Sequence, residues 1–118
     1  MIKEFEIFIP DENIEFLNKK IDLTRWPDEI EDGRWSLGTD KTFLQEAVKT
    51  WRHDFNWRKH EAKLNEVGSF KYKTQSGLEL HYLHKKSNSK NAIPLLLTHG
   101  WPGSVQEFLK IIPLLTEG

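Results

Sequence analysis

The 118-residue chain contains no cysteine. That excludes disulfides, Cys-ligated zinc and thiol catalysis, and leaves the redox compartment open. No apolar run approaches the ~18 residues that would mark a membrane span. The N-terminus alternates acidic and apolar residues and lacks the cationic, then apolar, shape of a secretory signal. The cytoplasm is therefore the default compartment. Neither sign of charge dominates: 17 basic residues stand against 18 acidic ones, a net charge of −1. Neither half is basic enough to suggest a nucleic-acid binder. Phosphate loops and dinucleotide fingerprints are missing, so no nucleotide cofactor is implied, and cofactors of any kind are expected to be none. There is no internal repeat and no low-complexity segment.

What is present suits one domain, or part of one. Hydrophobic residues make up 37% and aromatic ones 12%, which argues against wholesale disorder. The chain reads as two parts, residues 1–66 and 67–118. In the first, Glu4 to Ile9 gives a short extended start closed by Pro10. Asp11 is placed to cap a helix running to about Thr24, with Ile14, Leu17 and Ile21 on one face. Pro27 biases Trp26 away from helical geometry. Residues 26–38, with two Trp and two Gly, read as an ordered loop. Thr39 or Asp40 can cap a second helix bearing Phe43, Leu44, Ala47, Val48 and Trp51 at helical spacing. A third short helix is expected from Trp57 to Leu64. Trp26, Trp35, Trp51, Phe55 and Trp57 are more aromatic surface than these helices can hide from one another, so the segment is expected to wrap across a larger body.

From about Gly68 the period changes. Phe70, Tyr72 and Thr74 alternate with lysines, Gln75-Ser76-Gly77 fits a turn, and Leu78, Leu80 and Tyr82 continue the alternation. This predicts a β-hairpin. After a polar loop over Ser87–Asn91, Ile93-Pro94-Leu95-Leu96-Leu97-Thr98 is almost wholly apolar. A strand apolar on both faces belongs inside a parallel sheet covered by helices. His99-Gly100-Trp101-Pro102-Gly103 is then a turn, and Ser104 with Glu107 has the spacing of a capping box opening a helix that carries Phe108, Leu109 and Ile112. An exposed Leu95-Leu96-Leu97 strand would invite aggregation. Either another chain supplies its neighbours, or the sequence is the front of a longer polypeptide.

A strand, a tight glycine turn and a helix start gather several backbone N–H groups at one point, which favours negative charge. In α/β-hydrolases such a loop supplies one N–H of the oxyanion hole. Gly100 permits close backbone approach, and Pro102 fixes the turn and admits a cis bond before it. A plain tight turn in any α/β protein would carry the same four residues.

Spaced motifs narrow this. Thr24-Arg25-Trp26-Pro27-Asp28, Trp51-Arg52-His53-Asp54-Phe55-Asn56-Trp57-Arg58 leading to Leu64-Asn65, Gly77-Leu78-Glu79-Leu80-His81-Tyr82, and Pro94 through Ser104 follow one another in order. With them, the chain from about Phe5 to Leu115 resembles the N-terminal region of the microsomal-type epoxide hydrolases. Asn56-Trp57-Arg58 departs mildly from that family's usual Asp-Trp-Arg. The resemblance implies an α/β class, with the N-terminal portion only of an α/β-hydrolase fold: a meander over 1–66 that packs on the body and lid and helps dimers form, and the start of the hydrolase core over 67–118. It implies hydrolysis of a small-molecule epoxide to a diol through an Asp alkyl-enzyme ester. The Trp101 backbone N–H would be one oxyanion donor, with His99, Gly100, Pro102 and Gly103 shaping the loop. A later strand would lie between the hairpin and the apolar segment. No membrane anchor is expected, since the motifs begin almost at Met1. No Gly-x-Asp-x-Gly or Gly-x-Ser-x-Gly elbow occurs in 1–118, so the nucleophile, lid tyrosines and base map outside this chain, which is expected to be inactive alone.

Other residues read more plainly. His81 and His84, three apart on a strand, point to opposite faces, which argues against a metal pair and for solvent exposure. His53 and His60 suit surface or capping roles. By the same resemblance, His99 would shape the loop rather than act as the base. Arg25 and Arg58 beside tryptophans suggest cation–π packing or salt bridges. The lysines at 71, 73, 85, 86 and 90 suit a solvated face, not a nucleic-acid patch. Two further readings stand: a non-catalytic module that binds a partner through its apolar strand, and the front of an α/β-hydrolase with Ser chemistry.

Overall fold

The computed structural model of the chain describes residues 1–30 and 33–117. Among these, three strands and four α-helices form: β1 Ile2–Glu4, α1 Asp11–Asp22, α2 Lys41–His53, α3 Trp57–Val67, β2 Ser69–Lys73, β3 Glu79–Leu83 and α4 Ile111–Thr116. Short 3₁₀ turns occupy Arg34–Ser36 and Val105–Phe108. No helix among the described residues is long and apolar enough to cross a membrane.

Backbone contacts gather the chain into two compact units, Ile9–Asn56 and Met1–Phe8 with the chain from Trp57 onward. The change of hydrophobic period near Gly68 falls inside the second unit, which holds both α3 and β2, and the pairing of β1 with β2 brings Met1–Phe8 into the same unit.

In the helical unit, α1 and α2 are joined by a two-point ion pair, Arg52 Nε to Asp22 Oδ1 at 2.8 Å and a guanidinium N–H to Oδ2 at 3.0 Å. Asp40 caps α2, its carboxylate accepting the Phe43 N–H at 2.9 Å. Asp11 does not cap α1 as expected. Pro10 holds the cap position, its carbonyl accepting the Asn13 N–H at 3.0 Å, and Asp11 lies in the first turn, where its charge suits the helix dipole. The loop from Trp26 contains the Arg34–Ser36 turn and packs Trp35 on Phe43, with ring centroids 5.1 Å apart; Glu31 and Asp32 of that loop lie outside the described residues.

In the other unit the strands form an antiparallel sheet in the order β1-β2-β3. The expected hairpin forms, in a register that sets Phe70 opposite Tyr82 and Lys71 opposite His81. Its turn is closed by Thr74 N–H to the Leu78 carbonyl at 2.9 Å and by Leu78 N–H to Thr74 Oγ1 at 3.0 Å. The extended start begins earlier than expected, at Ile2, and pairs with Tyr72. Gly68 joins α3 to β2 at φ +100°, and a Cβ there would sit 2.9 Å from the His84 carbonyl oxygen, so only glycine fits. Leu64 of α3, 4% exposed, is the buried hydrophobe of the described residues.

Two expected elements differ. Residues 93–98 are in no sheet, and Leu96 is 87% exposed. The hairpin's free edge does not reach this segment, and no other strand among the described residues pairs with it. The helix expected after Ser104 is broken into the Val105–Phe108 turn and α4. Pro113 has no N–H to give the Leu109 carbonyl and its ring crowds that carbonyl, which disfavours a continuous α-helix through Leu109.

Candidate functional site

The turn expected from the sequence is built locally. Gly103 N–H donates to the Gly100 carbonyl at 2.7 Å, and the Trp101–Pro102 peptide inside this turn is cis. Gly103 must be glycine, since a Cβ there would come within 2.8 Å of the Gly100 carbonyl oxygen and would also run into the Glu107 carboxylate. The next residue begins the capping box read from the sequence. Ser104 Oγ accepts the Gln106 N–H at 3.3 Å, and Ser104 N–H donates to Glu107 Oε1 at 3.2 Å.

His99, Gly100, Trp101, Pro102 and Gly103 are therefore brought together, as neighbours in sequence must be. The His99 ring Nδ1 lies 3.2 Å from the Gly100 carbonyl oxygen, which keeps the imidazole at its own loop. The Trp101 side chain is 96% exposed. Its backbone N–H has no hydrogen-bond partner among the described residues. A peptide N–H left free on a turn whose following donors are engaged is what an approaching negative oxygen requires.

A second constellation lies where the Trp51–Arg58 motif runs into α3. Trp57 Nε1 and the Arg58 guanidinium both donate to the Glu61 carboxylate, at 2.9 and 2.7 Å, and Glu61 is only 6% exposed. Arg58 also lies over the Phe8 ring, 5.1 Å from its centroid, so both expected roles of this arginine occur at once. One turn on, Asn65 brackets Ile7: its Oδ1 accepts the Ile7 N–H and its Nδ2 donates to the Ile7 carbonyl, both at 2.8 Å. An amide side chain thus stands in for one rung of a sheet and ties the N-terminal segment to α3. Sequence reasoning missed Glu61; its three- and four-residue spacing from Arg58 and Trp57 was the available signal.

His81 corrects an expectation. It is half-buried rather than solvent-exposed, with Nε2 2.7 Å from Ser69 Oγ and its ring edge-on to Phe5. Burial first, and the Lys71 ammonium second, pull its pKa below the ordinary histidine value. His84 lies beyond the end of β3 and is exposed. Among the described residues no group of acidic and histidine side chains is arranged to hold a metal. Lys71 reaches Glu79 at 3.7 Å and the face of Phe5 at 4.1 Å, which is a packed strand face. In the helical unit, an open groove of about 240 Å³ lies beside Trp26, Val48 and the Asp22–Arg52 pair. Arg52 holds the Asp22 carboxyl below its usual range, and the groove contains no nucleophile with a base.

Comparison with known proteins gives this geometry its context. The family described as epoxide hydrolase N terminus matches residues 2–108. Epoxide hydrolase 1 of Sus scrofa is 39% identical over 120 residues, covering 98% of this chain and 26% of that protein. The structure of Aspergillus niger epoxide hydrolase superposes with a TM-score of 0.87 at 30% identity, over 99% of this chain and 31% of that one. Juvenile hormone epoxide hydrolase from the silkworm Bombyx mori gives 0.85 at 31% identity, over 96% and 30%. The chain thus spans about a quarter of the length of the curated relative and under a third of each structure. The chain belongs to the epoxide hydrolase family, as the N-terminal portion of its α/β-hydrolase fold.

Proposed function

We propose that this chain is the part of an epoxide hydrolase that supplies the meander, the first strands and one oxyanion donor, and that it turns nothing over by itself. The complete enzyme would open a small-molecule epoxide with an Asp carboxylate. The carboxylate oxygen bonds to an epoxide carbon, the carbon–oxygen bond breaks, and the alkoxide takes a proton from a lid tyrosine. A His takes a proton from a water that adds to the ester carbonyl, and the tetrahedral intermediate collapses to the diol and the carboxylate, the His proton passing to the leaving oxygen and the remaining proton returning through solvent to the tyrosinate. The Trp101 N–H would hold the oxyanion of that intermediate. No metal or cofactor is used in this scheme.

The observation that carries this reading is the free Trp101 N–H on a turn whose following amide donors are engaged, at the end of an apolar segment suited to a sheet interior. The remaining hydrolase portion would provide the strands that pair with residues 93–98, and the cytoplasm is the compartment this reading assumes. The exposed aromatics of the helical unit, Trp35, Phe43, Trp51 and Phe55, suit burial against that portion or against a second copy, giving a homodimer through the meander.

Two measurements test it. Styrene oxide incubated with the pure 118-residue chain should give no diol above a buffer blank; turnover would overturn the predicted inactivity. The coding sequence downstream of codon 118 should encode a Gly-x-Asp-x-Gly elbow. A Gly-x-Ser-x-Gly elbow there would replace ester formation on Asp with serine chemistry.

A further inference from the structure

We propose that Glu107 is a positioning residue for the oxyanion donor, an inference that rests on the role given to Trp101 above. Consider the backbone donors from Trp101 to Ser104. Pro102 has none. The Gly103 N–H is spent on the Gly100 carbonyl at 2.7 Å. The Ser104 N–H is taken by the Glu107 carboxylate at 3.2 Å. Only the Trp101 N–H of these is left without a partner among the described residues.

Glu107 grips Ser104 from both sides. Its carboxylate accepts from the Ser104 N–H, and its own N–H donates to the Ser104 carbonyl at 3.1 Å. The same carboxylate lies against Gly103, where any Cβ would strike it. These contacts orient the two peptide units that follow the turn, and the turn in its other direction leads straight to Trp101. An ordinary capping box would serve only to start the Val105–Phe108 turn. Here the box is joined to the turn at Gly103, so its loss does two things. It frees the Ser104 N–H to compete for water or for the wrong oxygen, and it lets the Trp101 donor swing away from the point where charge develops. Misaiming a preorganised donor costs rate only in the step where that charge appears.

The experiment uses the complete hydrolase, this chain with the portion that brings the nucleophile, in single-turnover rapid quench with styrene oxide. Ester formation and ester breakdown are followed separately by mass spectrometry of the protein. Glu107→Ala should slow breakdown about 10-fold or more, less than the ~100-fold or greater loss typical of deleting a donor outright, and leave ester formation within about twofold. Glu107→Gln keeps the carbonyl oxygen that accepts from Ser104, so it should restore breakdown to within about threefold of the parent. Equal slowing of both steps in Glu107→Ala would show a general packing role and overturn the proposal, as would unchanged breakdown. Glu107→Gln behaving as badly as Glu107→Ala would also overturn it, because the acceptor alone would not be what matters. Absence of any ester on the parent enzyme would instead sink the functional reading itself, a result distinct from ester that forms and then breaks down normally in Glu107→Ala.

Discussion

The hairpin β2–β3 and the segment 93–98 both read as strands, yet only one is a strand here. The hairpin carries its own partner just across a tight turn, and alternation lets it bury one face and wet the other. Residues 93–98 are apolar on both faces, which demands neighbours on both edges and helices above and below. None is within reach among the described residues, and Ile93 and Leu96 stay almost fully exposed. A pattern that asks for local partners is satisfied by a short chain; one that asks for distant partners is not. The same holds for the two helical regions. α3 is anchored in the sheet unit through Leu64 and Asn65, whereas no side chain of α1 or α2 is buried.

The largest break in that comparison should come from Leu64→Ala. Truncating a buried leucine costs about 2–5 kcal/mol, and in a structure with so little buried surface that should abolish cooperative urea unfolding followed by tryptophan fluorescence. Asn65→Ala should cost less, about 1–3 kcal/mol, since it leaves the Ile7 N–H and carbonyl without their amide partner. Hydrogen exchange at the Ile7 amide should accelerate in step. If Ile7 exchanged at its original rate, the bracket would not be what holds the N-terminal segment.

What is legible in the sequence follows the same division. The hairpin, a cap at Thr39 or Asp40 and the Ser104–Glu107 box can be read because each involves residues within a few positions of one another; the structure chooses Asp40. The β1–β2 pairing cannot, because Ile2 and Tyr72 lie far apart in the chain and neither segment names its partner. Asp11 resembles a cap by residue type, but Pro10 with its fixed φ already turns the chain into the helix. The split after Phe108 follows from Pro113, whose missing N–H acts backwards on Leu109. His81 escapes the pattern because exposure depends on what crosses the sheet face, and Phe5 comes from the far end of the chain. For the candidate site, the turn itself is legible, because Gly100 and Gly103 lie three residues apart.

Leu96→Lys sharpens the contrast from the other side. At a position 87% exposed it should change the stability of the 118-residue chain by no more than about 0.5 kcal/mol. It should also reduce self-association on gel filtration, since a charged strand edge resists pairing. In the complete hydrolase proposed above, where residues 93–98 would pair within the sheet, the same substitution should be severely destabilising. Equal, small effects in both settings would mean that residues 93–98 never acquire neighbours.

The smallest effect expected is an acid dependence confined to the paired sheet. His81 is held below the ordinary histidine pKa, chiefly by burial and secondarily by Lys71 across the ladder. The unfolded chain therefore takes up this proton first as pH falls. Its contribution to stability is complete above about pH 6.5 and is lost progressively as pH drops below that value towards the folded pKa. The Asp22 carboxyl, held low by Arg52, acts in a separate window, losing its contribution only as pH falls below about 3.8. Urea midpoints measured from about pH 7.5 down to about pH 5 should thus decline for the parent and stay flatter for His81→Gln. Lys71→Gln should keep most of the decline, because it removes only the smaller of the two causes and leaves the ring buried against Phe5 and Ser69. A decline that vanished in Lys71→Gln would instead make the like charge the stronger influence. It would then be the cross-strand lysine, rather than the packing of a residue from the chain's start, that sets the behaviour of this histidine.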